Sequence, residues 1–543
     1  MKEYKRLKDP IYGYIQIPVK YMNDIVDTAS FQRLRRILQT SYSPLYSSAV
    51  HNRFVHSMGV YYLGDLAATQ LKREILEKTK GVKGVERISE IFKLACLLHD
   101  VGHAPFSHTG EEFYLGNERE FSGLHARLIK AVGSEKFQSD IPQGKIKAAA
   151  PHEIVSAIVG ITEYGEFFAC PEEKEFFARC ITGYKYSDRT SAENNIKNCF
   201  ISLLNSKVID VDKLDYLIRD AYITGFDTVN IDYERLIGSL TITGAEGKYK
   251  IAYKKNAISV IENVVYAHDA EKKWIQSHPV VLYESYILKH IIAHISEKLD
   301  SSKKKLFSIE SLSVKGQKLG KGVKVSLLCD DDIIYLTKNV YPSDIGKEFF
   351  ERRERRHPVW KSEAEYKAFV LDMTNGGTIL QKFEKAMSVT ATYLEKSTDS
   401  GVINDSLIEK LKNEMEQIEH SGLDPASIEV QIHDKSIILK VMCSLQNYAK
   451  ENEMDCDFVI LKASQFDSGF GKADFSETNI VFQTKEGEKT AKVGDIVSSL
   501  EAKGREREDF FYLFYKRNSD VGQQDLDIDN QEICKRLFRD VGF

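Results

Sequence analysis

The run IFKLACLLHDVGHAPFSH, residues 91–108, constrains this chain more than any other stretch. Ile91, Phe92, Leu94, Ala95, Leu97 and Leu98 leave almost no polar face, so the run reads as a helix buried on nearly every side. Such a helix cannot end in an imidazole and a carboxylate at low cost unless something satisfies both. Yet His99 and Asp100 close it, Gly102 and Pro105 break it, and His103, His108 and Glu111 come next within one short loop. A core helix that delivers so many titratable groups to one spot reads as the floor of a metal site.

The chain around this helix is long enough, at 543 residues, for two or three domains. Its 42% hydrophobic and 29% charged residues exclude a disordered chain, and a net charge of -5 argues against a general polyanion binder. Eight cysteines form no CxxC pair, and several sit in apolar runs, as reduced core cysteines of a cytosolic protein do. The amino-terminal MKEYKR leads into no apolar stretch, and no later apolar run is long enough to span a bilayer. A cytoplasmic protein without membrane contact is therefore expected. The first strong composition shift, SSKKK at 301–305, sets a boundary between residues 1–300, mainly helical with a short N-terminal strand segment, and an α+β accessory and oligomerisation region at 301–543. In that region 323–328, 428–432, 458–461, 479–482 and 510–515 read as strands. The fold class is mainly α.

Taken in order, residues 9–18 read as a turn and a short alternating strand or hairpin. From Asn23, the residues Ile25, Val26, Phe31, Leu34, Ile37 and Leu38 share one helical face. That leaves Asp27, Gln32, Arg33, Arg35 and Arg36 to face a ligand or, on the plainer reading, water. HNRFVHSMGV at 51–60 enters another helix with Arg53 and His56 on one face; alone, His56 is more often a hydrogen-bonded core histidine. Pro151-His152-Glu153 opens a helix, where a histidine is often only a cap. In 209–220, Val211, Leu214 and Leu217 or Ile218 make a buried stripe, while Asp212, Tyr216 and Arg219 or Asp220 recur at four-residue steps on another face. Asp215 and Arg219 there fit an ordinary ion pair on a wet helix, although a face that crowds acidic groups and a tyrosine close to an apolar stripe suits a pocket wall better. The run ERRERRH at 351–357 reads as a solvated helix end, with a phosphate patch as the sharper option.

His56, the His99–Asp100 doublet and Asp212 are the polar outliers of the helical half. Two imidazoles and two carboxylates suit Mn, Fe, Mg, Ni, Co or Zn. A histidine, then His-Asp after an apolar helix, then a distal aspartate resembles the ordered signature of the HD superfamily of metal-dependent phosphohydrolases. DPIYG at 9–13, FQRLR at 31–35, 51–60, 99–108 and DVDKLDYLIRD at 210–220 further resemble the deoxynucleoside triphosphate triphosphohydrolases, the dGTPase-like enzymes included. The likeness is dense over about 5–290 and looser around 458–471.

That resemblance implies His56, His99, Asp100 and Asp212 as metal ligands, with His103, His108 and His152 at the reaction centre and Glu111 orienting His108. It implies Arg53 and Lys213 on phosphate oxygens, and Gln39, Tyr216 and Asp220 against a deoxyribose, with His278 also kept. Its chemistry is attack by metal-activated water on the α-phosphorus of a dNTP, releasing deoxynucleoside and tripolyphosphate. Lys5, Asp27, Gln32 and Arg35 match positions that hold a regulatory guanine nucleotide (GTP or dGTP) between subunits, which implies an allosteric homo-oligomer, a tetramer as first guess. The chain departs from the pattern at Thr40, where relatives carry an apolar residue, and in 268–278, which lacks their arginine and tyrosine. Two further readings stay open: an HD phosphohydrolase acting on a monophosphate, cyclic nucleotide or other phosphoester, and a nucleotide-sensing or nucleic-acid-binding scaffold, motivated by Lys303–Lys305 and Arg352–Arg356.

Overall fold

A computed structural model describes residues 3–79, 82–114, 118–141, 149–226, 230–300, 304–370, 376–397, 401–420, 425–453, 456–463, 475, 478–485, 487–497, 510–517 and 530–542. Residues 301–303 of the composition shift and 464–471 of the distal resemblance lie outside them. The chain is mainly helical, with small sheets. By compactness it divides into a first unit of residues 1–272, 295–340 and 467–504, and a second of 273–294, 341–466 and 505–543. Residues 304–340 and 479–497, read as accessory region in the sequence, thus group with the helical core.

In the first unit, strands Tyr4–Asp9 and Gly13–Pro18 form an antiparallel hairpin with Leu7 opposite Ile15. Ile15 and Ile17 turn inward while Tyr14 and Gln16 face water, the alternation of a half-buried strand. The Asp9 carboxylate closes the turn by accepting from the backbone N–H groups of Ile11 (2.8 Å) and Tyr12 (3.0 Å).

The helix expected from Asn23 is broken into a wide-turn segment Met22–Val26, a short helix Ala29–Gln32 and a tight turn Arg33–Arg36. Thr28 supplies the break: its backbone is extended and its hydroxyl donates to the Ile25 carbonyl at 2.6 Å, in competition with helical bonding. Ile25, Val26, Phe31, Leu34 and Ile37 are buried as the pattern requires, but Arg33 is buried with them.

Four longer helices carry the site. Arg53–Lys78 is capped by the Asn52 side chain, which accepts from Val55 N–H at 3.2 Å. It packs against Val85–Leu98, whose residues from Ile91 to Leu98 are buried except Lys93. Pro151–Glu163 starts on Pro151, with Glu153 accepting from Ala150 N–H at 2.6 Å. Val211–Thr224 is capped by Asp210, which accepts from Lys213 N–H at 2.8 Å. A four-stranded sheet, in the order 487–492, 479–484, 250–254, 240–243, completes this unit.

In the second unit Phe510–Arg517 pairs with Cys456–Ala463 on one side and His357–Pro358 on the other. Helices Gly376–Ser397, Pro425–Glu451 and Asn530–Gly542 pack together around a core that includes Phe383, Met442 and Phe538. The strand expected at 428–432 is instead part of the helix Pro425–Glu451. Its alternation spans only five residues, whereas the buried Ile438, Val441, Met442, Leu445 and Tyr448 keep three- and four-residue steps and set the period. Of 323–328 only Lys324–Val325 is strand. No disulfide joins any of the eight cysteines, and five are buried. Among the described residues no helix is long and apolar enough to cross a membrane.

Candidate metal and reaction centre

Three helices bring one imidazole or carboxylate group each to a single point. His56 Nε2, one turn into Arg53–Lys78, lies 3.3 Å from His99 Nε2 at the end of Val85–Leu98 and 3.0 Å from Asp212 Oδ1 on Val211–Thr224. His99 Nε2 is 3.7 Å from the same oxygen. Asp100 adds Oδ2 at 3.6 Å from His56 Nε2 and Oδ1 at 3.5 Å from His99 Nε2.

The far nitrogens fix the tautomers. His56 Nδ1 donates to Asp215 Oδ2 at 2.8 Å, and His99 Nδ1 donates to the Cys96 carbonyl at 2.9 Å. The two Nε2 atoms then meet at 3.3 Å, a contact that needs a positive charge, a proton or a metal ion, beside it. Burial opposes a charge on His56, but hydrogen bonds to Asp212 and Asp215 outweigh it and push its pKa up to about 10. The neighbouring histidines conversely hold Asp212 well below the carboxylate range against its own desolvation. The pocket is thus arranged for a positive charge. Two imidazoles and two carboxylates, with no thiolate, fit a divalent cation of the Mn, Fe, Mg, Ni, Co or Zn set.

The support beneath His56 was not legible in the sequence. Asp215, read there as half of a wet ion pair, is fully buried. It accepts from His56, from Tyr12 O–H at 2.8 Å, and from Arg219 Nε and Nη2, each at 3.0 Å. Arg219 in turn donates to Asp9 Oδ2 at 3.0 Å, so a buried chain runs from the N-terminal turn to His56. Gly59 makes the room: a Cβ there would stand 1.8 Å from Asp215 Oδ1. DPIYG and the glycine three residues after His56 were the signals available.

A second cluster lies on the loop after His99. Gly102 lets this loop approach the helix Pro151–Glu163, where a Cβ would meet Ser156 N at 2.4 Å. His103 is wholly buried, its ring stacked on His152 at 4.1 Å, with Nε2 3.5 Å from Asp100 Oδ1 and neither ring nitrogen hydrogen-bonded. Burial pushes its pKa well below the usual range. His152 Nδ1 is hydrogen-bonded to Glu111 Oε2, and His108 Nδ1, on a largely exposed ring, stands 3.5 Å from the same oxygen. Burial disfavours the charged form of His152, but Glu111 overcomes it and raises the pKa to about 9. His152 is therefore a half-buried member of the centre rather than a surface cap, and Glu111 engages it more closely than it does His108.

The other expected residues divide. Arg53 lies beside the ligands, but its guanidinium is committed: Nη1 donates to Asp100 Oδ2 and Nε to Ser107 Oγ, both at 2.8 Å. Lys213 Nζ donates to Asp210 Oδ2 (2.7 Å) and Ser206 O (3.0 Å), on a polar cleft that His99, His152, Glu153 and Asp212 also line. Gln39 and Asp220 are buried and Tyr216 half-buried. His51, which the sequence did not single out, brings Nε2 to 2.7 Å from Asp220 Oδ1, out of line for a hydrogen bond, and its backbone carbonyl accepts from Gln39 N–H at 3.0 Å. His278 belongs to the second unit, where its Nδ1 accepts from Val280 N–H. Lys5 pairs with Asp27 at 3.4 Å, and Arg35 donates to Gln32 Oε1 at 2.9 Å; the three charged residues are exposed. Arg33 is not outward-facing: it donates to the carbonyls of Val101, His103 and Leu328. In the run 351–357, Arg355 and Arg356 are not solvated either, being paired with Glu284 and Glu348.

Comparison with known proteins agrees with this geometry. Residues 53–159, which include His56, His99 and Asp100, match the family model of the HD domain. An uncharacterised protein of Mycoplasma genitalium is 29% identical over 264 residues, covering 47% of this chain and 52% of its own length. The protein of Gallus gallus named deoxynucleoside triphosphate triphosphohydrolase SAMHD1 is 28% identical over 365 residues, covering 66% and 55%. A Bacillus subtilis protein, YwfO, also uncharacterised, is 27% identical over 295 residues, covering 54% and 56%. The chain spans about half the length of the curated relatives it matches.

Proposed function

We propose that this HD-domain chain, similar to the deoxynucleoside triphosphate triphosphohydrolases, is a metal-dependent phosphohydrolase that cleaves dNTPs to deoxynucleoside and tripolyphosphate. The observation that carries the reading is the approach of His56 Nε2 and His99 Nε2 to 3.3 Å, flanked by Asp212 and Asp100. These four residues would hold a divalent cation, which supplies Lewis acidity and lowers the pKa of water at the site.

In the reaction, water adds to the α-phosphorus and gives up a proton, the bond to the 5′-oxygen breaks, and that oxygen takes a proton in turn. His152 holds a proton at neutral pH because Glu111 lies against Nδ1, so the pair is placed as general acid for the departing oxygen. His103, buried and neutral, forms the wall between this acid and Asp100. Arg53 holds Asp100 from behind and keeps a positive charge where phosphate oxygens gather. Gln39, Tyr216 and Asp220 are the sugar-side residues of this reading.

The test is product analysis of the metal-reconstituted protein with all four dNTPs, with and without GTP, beside an Asp212→Ala control. Deoxynucleoside with tripolyphosphate, absent in the control, supports the reading. Orthophosphate or a monophosphate as product favours another phosphoester substrate, a reading supported by the tethering of Lys213 to Asp210 and Ser206. Regulation by GTP or dGTP at Lys5, Asp27, Gln32 and Arg35 of a homo-oligomer, a tetramer first, belongs to the same proposal. Mass photometry that finds only monomer at every nucleotide concentration would remove that part.

A further inference from the structure

The loop 101–108 carries His103 and His108 into the centre, and its backbone is strained. Phe106 and Ser107 adopt φ of 56° and 55°, the left-handed region that side chains with a Cβ rarely occupy. Such a conformation persists only where surrounding bonds hold it. Three groups do so here. Arg33, buried, donates to the carbonyls of Val101 (2.8 Å) and His103 (3.0 Å) and ties them to Leu328 O (2.8 Å). Ser107 Oγ accepts from Arg53 Nε and donates to Leu38 O at 2.5 Å.

The third group comes from far along the chain. Asp330, in the first turn of the helix Asp330–Tyr335, is 4% exposed. Its Oδ1 accepts from the backbone N–H of Phe106 at 2.7 Å, and Oδ2 accepts from that of Leu38 at 2.9 Å. One carboxylate thereby joins the strained loop to the segment before Gln39, and no hydrogen bond of Asp330 goes to a cation.

We propose that Asp330 is a positioning residue that clamps the reaction loop 101–108 to residues 37–39, which makes the segment 328–330 part of the catalytic apparatus although it lies well beyond the HD match. The inference rests on the reading of His103, His108 and His152 as reaction-centre residues. It assigns the loop's shape to an acceptor about 220 residues downstream, counted from Phe106 to Asp330. Both oxygens must be acceptors for the clamp to close on both amides, so ionised aspartate does what asparagine cannot: an amide NH2 in either position would face a donor. Burial, against the lowering effect of the two N–H donors, raises the Asp330 pKa to about 7; Asp331 on the same turn raises it further, and Arg33 is the cation that opposes this. Arg36 faces Asp331 across 3.7 Å rather than Asp330.

Amide-resolved hydrogen exchange on the full-length protein tests the clamp, run on wild type, Asp330→Asn and an exposed control, Asp331→Asn, with kcat and KM measured on the substrate turned over. Asp330→Asn is expected to lose at least about tenfold protection at the Leu38 and Phe106 amides and about tenfold in kcat, with KM and bound metal near wild type; Asp331→Asn matches wild type. Wild-type protection at both amides in Asp330→Asn overturns the proposal, as does an unchanged kcat once protection is lost. Should Asp330→Asn fail to fold, the wild type decides the matter alone: the Leu38 and Phe106 amides, corrected for intrinsic exchange, should be protected at about pH 7, and exchange of both at the unprotected rate overturns the clamp. Absence of any turnover with the exchange result as expected counts against the phosphohydrolase reading and leaves the clamp supported.

Discussion

The two histidine clusters sit a few ångströms apart and are built on opposite principles. In the ligand cluster each imidazole rides on a long helix, and its outer nitrogen is locked by an acceptor, Asp215 for His56 and the Cys96 carbonyl for His99. In the acid cluster His103 and His108 ride on a strained loop, and neither ring nitrogen of His103 is hydrogen-bonded. A ligand must keep its lone pair aimed whether or not the ion is present, so rigidity is built in beneath it. A proton donor must change its charge during turnover, so its partners are fewer and its field is set by one carboxylate, Glu111.

The largest expected effect breaks the first cluster at its open side. Asp212→Ala removes the carboxylate nearest to His56 Nε2 and should abolish both turnover and stoichiometric metal, measured by product analysis and elemental analysis of the same sample. Retained metal with lost activity would instead make Asp212 a substrate-side group. Glu111→Gln probes the second cluster and should cost about 10²-fold in kcat, the scale of one general acid, while metal content stays unchanged. Its pH profile carries the sharper information. In wild type, His152 is raised from about 6.5 to about 9, so its proton, and the stability it adds, is present at neutral pH and lost as pH rises through about 9. The alkaline limb of the rate profile should therefore lie near 9 and move below neutrality in Glu111→Gln. An unmoved limb would mean that another group supplies the proton.

Asp215→Asn asks how much of the difference between the clusters resides in the support. It leaves Arg219, 1% exposed, facing Asp9 alone, which costs about 3–5 kcal/mol of stability on the scale of a broken buried pair. Metal affinity should fall by about 10–100-fold, as it does when an outer-shell partner is lost. Calorimetric unfolding and competitive metal titration measure the two separately. A metal affinity equal to wild type in a folded variant would show that the buried chain to Asp9 serves the fold and not the ligand.

The same division separates the residues that sequence reveals from those it hides. The ligand helices were legible because buried helices advertise themselves by composition, and a polar residue at their ends stands out, as His99 and Asp100 do after Leu98. Asp215 did not stand out, because an aspartate four residues before an arginine has the same spacing on a wet helix and in a buried network; only Tyr12 and Asp9, about 200 residues away, distinguish the two. Arg33 was misplaced for a related reason. Periodicity assigns faces on a continuous helix, and the break at Thr28 rotates the residues after it. Asp330 was invisible, since its partners are backbone amides and carry no side-chain signature.

The smallest effect separates the members of the acid cluster from one another. His108 and His152 both approach Glu111 Oε2, yet the His108 side chain is 66% exposed and stands off at 3.5 Å, whereas that of His152 is 13% exposed and in direct hydrogen-bond contact. An exposed pair at that distance contributes on the order of 1 kcal/mol or less. His108→Ala should accordingly lower kcat by less than about tenfold and leave the alkaline limb near 9, because the carboxylate that sets the His152 pKa is untouched. His152→Ala should cost at least ten times more. Were the two losses reversed, the histidine at the rim would be the acid, closing over bound substrate, and the half-buried Glu111–His152 pair would be its support.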